Sequence, residues 1–313
     1  MKIAFLGTPE FALPSLEMLI SRGHEMAVFT QPDRPKGRGH GITMPPVKEL
    51  ALKHGVPVYQ FERIRDEEGL AALRAFAPEL MVTAAFGQIL SKENLDVPKY
   101  GCINVHGSLL PRYRGAAPIP WAVINGEKIT GVTTMMTDVG LDTGDILLSS
   151  ATDIGENETA GELYARLAVM GAELLERTIV ELLKGELVRT PQKNEDATRC
   201  GIIKKHMAKI EFGRTADEVH NLVRGMNPAP VAFTNLGEDT IKVYSTLVRH
   251  DIDAGFTEAS CGECVIADSR RGLFVKCADG IIEIKELQFA GSKRMDAKAA
   301  LNSHRMINRV LGI

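Results

Sequence analysis

Short unbroken apolar runs alternate with longer stretches in which apolar residues recur every third or fourth position. Lys2–Leu6, Glu25–Thr30, Leu80–Ala84 and Cys102–Val105 are runs of the first kind. A strand buried on both faces shows no polar alternation, so these read as inner strands of a parallel sheet. Phe11–Arg22, Pro46–His54, Asp66–Ala75 and Pro118–Asn125 read as helices between them. Thr159–Lys184 is a long helix, with Leu163, Leu167, Met170, Leu174 and Leu175 on its apolar face. Further strands are predicted at 57–59, 131–136 and 145–150. Strands alternating with helices predict an α/β fold: a Rossmann-like, doubly wound, mostly parallel sheet.

The pattern changes near residue 190. Residues 190–207 are polar and lack a clean period, and read as a linker. Beyond them come one amphipathic helix, Thr215–Asn227, and short strands near 231–236, 240–247, 262–267, 273–277 and 280–288. A last helix spans Ala297–Ser303. Five short strands with a helix predict a small β-barrel. The expected organisation is residues 1–189, a linker at 190–207, and a second domain at 208–313.

Composition changes this picture in few places. The 313 residues are 44% hydrophobic, enough for two cores. A net charge of −3 carries no global nucleic-acid signature, so any RNA contact must come from a local basic patch. Five scattered cysteines point to a reducing cytoplasm rather than a disulfide framework. Cys261-Gly-Glu-Cys264 has no second pair at finger spacing, so no metal is expected. No apolar run reaches membrane length, and the Met-Lys-Ile-Ala-Phe-Leu start is too short for a signal peptide. Gly7-Thr-Pro-Glu10 lacks the GxGxxG pattern of a dinucleotide site.

The local basic patch is Gln31–Pro46, a long Gly- and Pro-rich segment carrying Arg34, Lys36, Arg38 and His40. It is either a solvated loop or an arm that orders on a phosphate backbone.

The candidate chemistry lies in Gly101–Gly115, where a short strand runs into a Gly/Pro-rich loop. Asn104 and His106 are two residues apart and so share one side of the strand. Ligands of open α/β sheets bind at the carboxyl ends of strands. A second loop, Asp138-Val-Gly-Leu-Asp142-Thr-Gly-Asp145, supplies carboxylates. An amide donor, an imidazole and a carboxylate that can orient it are the parts needed for acyl transfer. An Asn-x-His triplet alone is more often structural than catalytic.

The Asn-Val-His strand, the Ser-Leu-Leu-Pro-Arg-Tyr-Arg-Gly loop and Leu-Asp-Thr-Gly-Asp together resemble the formyltetrahydrofolate-dependent formyltransferases. The basic arm and the C-terminal β-domain make the chain similar to the tRNA formyltransferases among them. The resemblance implies Asn104, His106 and Asp142 as catalytic residues. It implies Ser108, Leu109, Leu110 and Pro111 as the folate loop, with Phe86, Gln88 and Leu90 along the pterin pocket. It implies that the arm, through Arg38 with Lys36 and Arg34, enters the tRNA acceptor end. The family often has lysines after that arginine, where this chain has His40-Gly41-Ile42. The β-domain is then OB-like. 10-Formyltetrahydrofolate is the expected co-substrate without a metal, and initiator Met-tRNA is the expected partner of a monomer. In such a reaction the oxyanion needs fixed donors and the departing nitrogen needs a proton. Arg112 and Arg114 are open between ligand contacts and surface charge. The competing readings are a formyltransferase acting on a sugar-nucleotide amine and a non-catalytic folate- or RNA-binding module.

Overall fold

The computed structural model describes residues 1–36, 41–252 and 256–312. The chain divides into two compact units. Met1–Pro118, Thr130–Asp153 and Tyr164–Cys200 make the first; Ile119–Ile129, Ile154–Leu163 and Gly201–Ile313 make the second. The polar stretch from 190 to 200 therefore folds with the first unit.

Up to residue 200 the strands are β1 (Lys2–Gly7), β2 (Glu25–Thr30), β3 (Arg34–Lys36), β4 (Gly41–Thr43), β5 (Val58–Gln60), β6 (Leu80–Ala84), β7 (Cys102–His106), β8 (Arg114–Gly115), β9 (Ile129–Met136), β10 (Ile146–Asp153) and β11 (Arg199–Cys200). The helices are α1 (Leu13–Ser21), α2 (Pro46–Lys53), α3 (Glu67–Phe76), α4 (Lys92–Leu95), α5 (Pro118–Ile124) and α6 (Ala160–Lys184). Seven strands form one sheet in the order β10-β9-β7-β6-β1-β2-β5. Strands β5, β2, β1, β6 and β7 pair in parallel, whereas β9 runs antiparallel to β7. The sheet is thus mixed. The chain moves outward from β1 through β2 to β5, then returns to add β6 on the other side of β1. That reversal is a topological switch point at the carboxyl ends of β1 and β6, the place where α/β sheets bind ligands.

The unbroken apolar runs are where the core is. Ile3–Leu6 of β1 and Leu80–Val82 of β6 are fully buried. Each large side chain so buried contributes roughly 1.5–3 kcal/mol, so the strands anchor the loops that follow them. Behind β7, α6 packs at Gly171, where a Cβ would lie 2.8 Å from Val105 Cγ1. Val105 faces the helix, which turns its neighbours Asn104 and His106 to the opposite side.

Gln31–Pro46 was expected as a loop, and it contains a two-stranded hairpin. β3 and β4 pair antiparallel, Arg34 opposite Thr43 and Lys36 opposite Gly41. Proline and glycine hide the strand alternation here. The hairpin's base is tethered by Lys48 Nζ, which bonds Asp33 Oδ2 at 2.7 Å and Gln60 Oε1 at 2.8 Å.

In the second unit, α7 (Ala216–Gly225) starts at a capping box. The Thr215 hydroxyl accepts from Glu218 N–H, and the Glu218 carboxylate accepts from Thr215 N–H. The strands β12 (Ala232–Leu236), β13 (Asp239–Val248), β14 (Cys264–Asp268), β15 (Gly272–Lys276), β16 (Ile281–Gln288) and β17 (Met295–Asp296) precede α8 (Ala297–Ala300). Their order is β12-β13-β16-β15-β14, with β17 on β16 and neighbours antiparallel. The C-terminal segment links the two edges. Leu311 N–H donates to Gly262 O and Cys264 N–H to Arg309 O beside β14, while Gly312 N–H donates to Asn235 O on β12. This closes the sheet around the core of an OB-like domain. Among the described residues no helix is long and apolar enough to cross a membrane.

Candidate active site

β6 and β7 end side by side, with Thr83 in register with Asn104. Thr83 Oγ1 donates to Asn104 Oδ1 at 2.8 Å. With its oxygen occupied, Asn104 presents its Nδ2 hydrogens outward as donors. His106 lies two residues on, about 6.6 Å further along the strand, and is only 6% exposed.

Two contacts set the state of the His106 ring. Nε2 lies 2.9 Å from Tyr113 O. A carbonyl can only accept, so Nε2 carries a hydrogen. Nδ1 is then the atom that faces Asp142, whose Oδ2 is 3.7 Å away. Asp142 Oδ2 also accepts from Gly115 N–H at 2.7 Å. His106 and Asp142 thus meet at the end of β7, with Asn104 two residues back on the same side of the strand.

The loop between His106 and Gly115 is braced from within. Ser108 is buried, and its hydroxyl donates to Arg112 O at 2.7 Å. Thr133 Oγ1 donates to Ser108 O at 2.7 Å and accepts from Leu110 N–H at 3.2 Å. Ser108 therefore closes a turn, while Leu109 and Pro111 remain partly exposed. β8 pairs in parallel with β11, Arg114 opposite Arg199 and Gly115 opposite Cys200. Gly115 has φ +124°, and a Cβ there would sit 2.1 Å from Cys200 O, so only glycine fits. Burial pushes the Cys200 thiol pKa up, despite the Ala117 N–H, and the Asp142 charge adds to the rise. The protonated thiol donates to Tyr113 O and Arg114 O at 3.4 and 3.5 Å.

On the β1/β6 side, Ala85 and Gly87 have positive φ and turn the chain sharply after β6. Phe86 and Leu90 point into the core. The Phe86 carbonyl accepts from Thr8 Oγ1 at 2.9 Å and Gln31 Nε2 at 3.3 Å. The Gln88 side chain is consumed structurally, with Oε1 accepting from Ile64 N–H and Nε2 donating to Phe61 O. Ile89 between them is 69% exposed.

Residues 1–179 match the formyl transferase family, and residues 202–305 match the formyl transferase C-terminal domain. This chain belongs to the formyltransferase family. Methionyl-tRNA formyltransferase of Ruminiclostridium cellulolyticum is 52% identical over 308 residues, which is 98% of this chain and 97% of that protein. The enzyme of that name from Geotalea uraniireducens is 50% identical over 300 residues, 95% of this chain and 93% of its own. Among solved structures, a sugar 3N-formyl transferase in the presence of dTDP and 5-N-formyl-THF superposes with a TM-score of 0.67. It is 21% identical and covers 94% of this chain and 99% of its own. The N-formyltransferase from Helicobacter canadensis, in complex with folinic acid and dTDP-3-aminofucose, has a TM-score of 0.64 at 20% identity, covering 91% and 98%. These two likenesses show a shared fold.

In this formyltransferase the two arginines of the loop have different environments. Arg112 is exposed and lies over the Tyr113 ring at 5.5 Å. Arg114 is 4% exposed, so surface charge is not its role. Its Nε donates to Gln192 Oε1 at 3.0 Å and its Nη1 to Asn194 Oδ1 at 2.9 Å. Asp138 braces its own loop, accepting from Thr143 Oγ1 and Gly140 N–H. Arg34 pairs with Glu62 at 2.9 Å on the surface. Arg38 and the Lys36 side chain lie outside the described residues. The sequence reading missed Thr83, Thr133 and Gln192. Thr83 left a signal, a lone polar residue near the end of an apolar strand; Gln192 left none.

Proposed function

We propose that this formyltransferase transfers a formyl group from 10-formyltetrahydrofolate to the α-amine of methionine on initiator Met-tRNA, giving formylmethionyl-tRNA for translation initiation. The full-length relatives named methionyl-tRNA formyltransferase support this acceptor. The observation that carries the chemistry is the approach of His106 to Asp142 where β7 ends, with Asn104 on the same side of that strand. Residues 1–189 serve catalysis and 208–313, with the basic arm, engage tRNA. The protein acts as a cytoplasmic monomer.

The folate supplies an already acylated nitrogen, so the amine of the acceptor attacks the formyl carbon directly. The donor set suits the charge that develops. Asn104 offers Nδ2 hydrogens, because Thr83 holds its oxygen. His106 offers Nδ1, because Tyr113 O holds Nε2. A hydrogen on that Nδ1, which faces Asp142, can stabilise the oxyanion or pass to the departing nitrogen. The Asp142 carboxylate can also hold a water to collect the proton of the attacking amine. Folate lies along the β6 end and the 108–111 loop: the backbone at Gln88 and Leu90 on one side, Leu109, Leu110 and Pro111 on the other. Phe86 supports the pocket wall, and Ser108 acts by holding the loop. Arg38, with Lys36 and Arg34, contacts the acceptor end.

The test is to incubate the protein with methionylated initiator and elongator tRNA, and separately with a nucleotide-sugar amine, plus 10-formyltetrahydrofolate. Formylmethionine on the initiator tRNA is expected. A product on the sugar amine alone would replace this acceptor, and folate binding without any product would make the chain a binding module.

A further inference from the structure

Resting on the roles proposed for Asp142 and His106, we propose that Gln192 is a positioning residue that holds Asp142 in place beside His106. Asp142 lies in a loop whose residues from Asp138 to Leu141 are exposed. Its own backbone is left-handed, with φ +53°, a conformation that side chains bearing a Cβ rarely adopt. A loop so placed drifts unless bonds from outside over-determine it.

Gln192 supplies them. Its Nε2 donates to Asp142 O at 2.9 Å and to Gly144 O at 2.7 Å. Both amide hydrogens are thus used, on the carbonyls that flank Thr143. The amide cannot turn over, because Oε1 accepts from Arg114 Nε, a group that only donates. Arg114 is itself fixed, buried and tied to Asn194. The next peptide closes a ring. The Gly115 N–H that follows Arg114 is the donor to Asp142 Oδ2. Asp142 is therefore gripped by its side chain through Gly115 and by its main chain through Gln192, and both grips are referred to Arg114. Gly144 completes the fit, since a Cβ there would lie 1.7 Å from Met136 O.

The hydrogen bonds of Gln192 go to Arg114, Asp142 and Gly144, so its proposed effect on the reaction runs through Asp142. Removing its amide should lower kcat and spare the KM for either substrate. Two variants separate the grip from the fold. Gln192→Ala loses every contact. Gln192→Glu keeps an acceptor for Arg114 but loses the donors to Asp142 O and Gly144 O. The experiment measures steady-state formylation and thermal melting for both variants, for Asp142→Asn, and for Asp142→Asn combined with each.

Both Gln192 variants should lose about tenfold in kcat, with KM for folate and tRNA within about twofold. Gln192→Glu should remain folded well above the assay temperature. In the Asp142→Asn background either change should alter kcat by less than about twofold, because the group being positioned is already gone. A full tenfold loss in that background would overturn the proposal, since Gln192 would then act independently of Asp142. A slow Asp142→Asn beside a Gln192→Glu of wild-type rate would overturn this inference and leave the roles of the three catalytic residues standing. An Asp142→Asn of wild-type rate would remove those roles and this inference together.

Discussion

Thr83 Oγ1 donates to Asn104 Oδ1 at 2.8 Å across the β6–β7 pair. The two residues are in register at the carboxyl ends of neighbouring parallel strands. This bond makes the asparagine a donor towards the substrate side. Replacing Thr83 with valine keeps the shape and removes the bond. A hydrogen bond of this kind is worth about 1 kcal/mol, so kcat for formylation should fall about fivefold with KM nearly unchanged. Steady-state kinetics decide it, and an unchanged kcat would mean that Asn104 needs no orienting partner.

Removing the groups themselves should cost more. Asn104→Ala, His106→Ala and Asp142→Ala should each lower formyl transfer by roughly 10²–10³. tRNA affinity, read by filter binding, should stay near the wild-type value. Losses of affinity that matched the losses of rate would contradict the roles assigned to the three residues.

The basic arm should act on the acceptor and not on folate. Arg38→Ala should raise the KM for tRNA severalfold while folate affinity, read by fluorescence quenching, is unchanged. If slow hydrolysis of free 10-formyltetrahydrofolate fell equally, the arm would not be a tRNA reader.

His220 in α7 should make the second unit acid-sensitive. It is 5% exposed, with Nδ1 at 3.0 Å from Thr246 Oγ1 and Nε2 at 3.2 Å from Glu156 O. The carbonyl requires a hydrogen on Nε2, so the neutral ring satisfies both partners. Burial, with the Arg224 charge adding to it, holds the pKa below the ordinary 6.5, against the bond to Glu156 and nearby carboxylates. The unfolded chain therefore takes up the proton first. Stability is intact above about pH 6.5 and declines as pH falls through the folded-state pKa. The melting temperature of wild type minus that of His220→Gln should shrink between pH 7.5 and pH 5. A difference that stayed constant would mean that His220 does not titrate on unfolding.

Some of this was written in short-range pattern. Unbroken apolar runs located β1, β2, β6 and β7 nearly to the residue, because burial on both faces excludes polar side chains at every position. The period of two put Asn104 and His106 on one side of a strand with no knowledge of its neighbours. The Ser-Leu-Leu-Pro-Arg-Tyr-Arg-Gly and Leu-Asp-Thr-Gly-Asp motifs brought the family into view.

Other features depended on pairings between distant segments. Thr83 beside Asn104, Asp142 beside His106, and Gln192 bridging Arg114 to the Asp142 loop are set by strand register and loop closure. No local propensity specifies those. Residues 190–200 looked like a linker because polar residues that bond to another loop carry no periodicity of their own. Gln88 was implied along the pocket by the family resemblance and Arg114 was open between ligand contact and surface charge, and only the folded environment showed where their side chains bond. The sequence determined which faces and motifs exist, since those follow from spacing along one chain. The tertiary structure decided which of them meet, since that follows from packing the whole sheet.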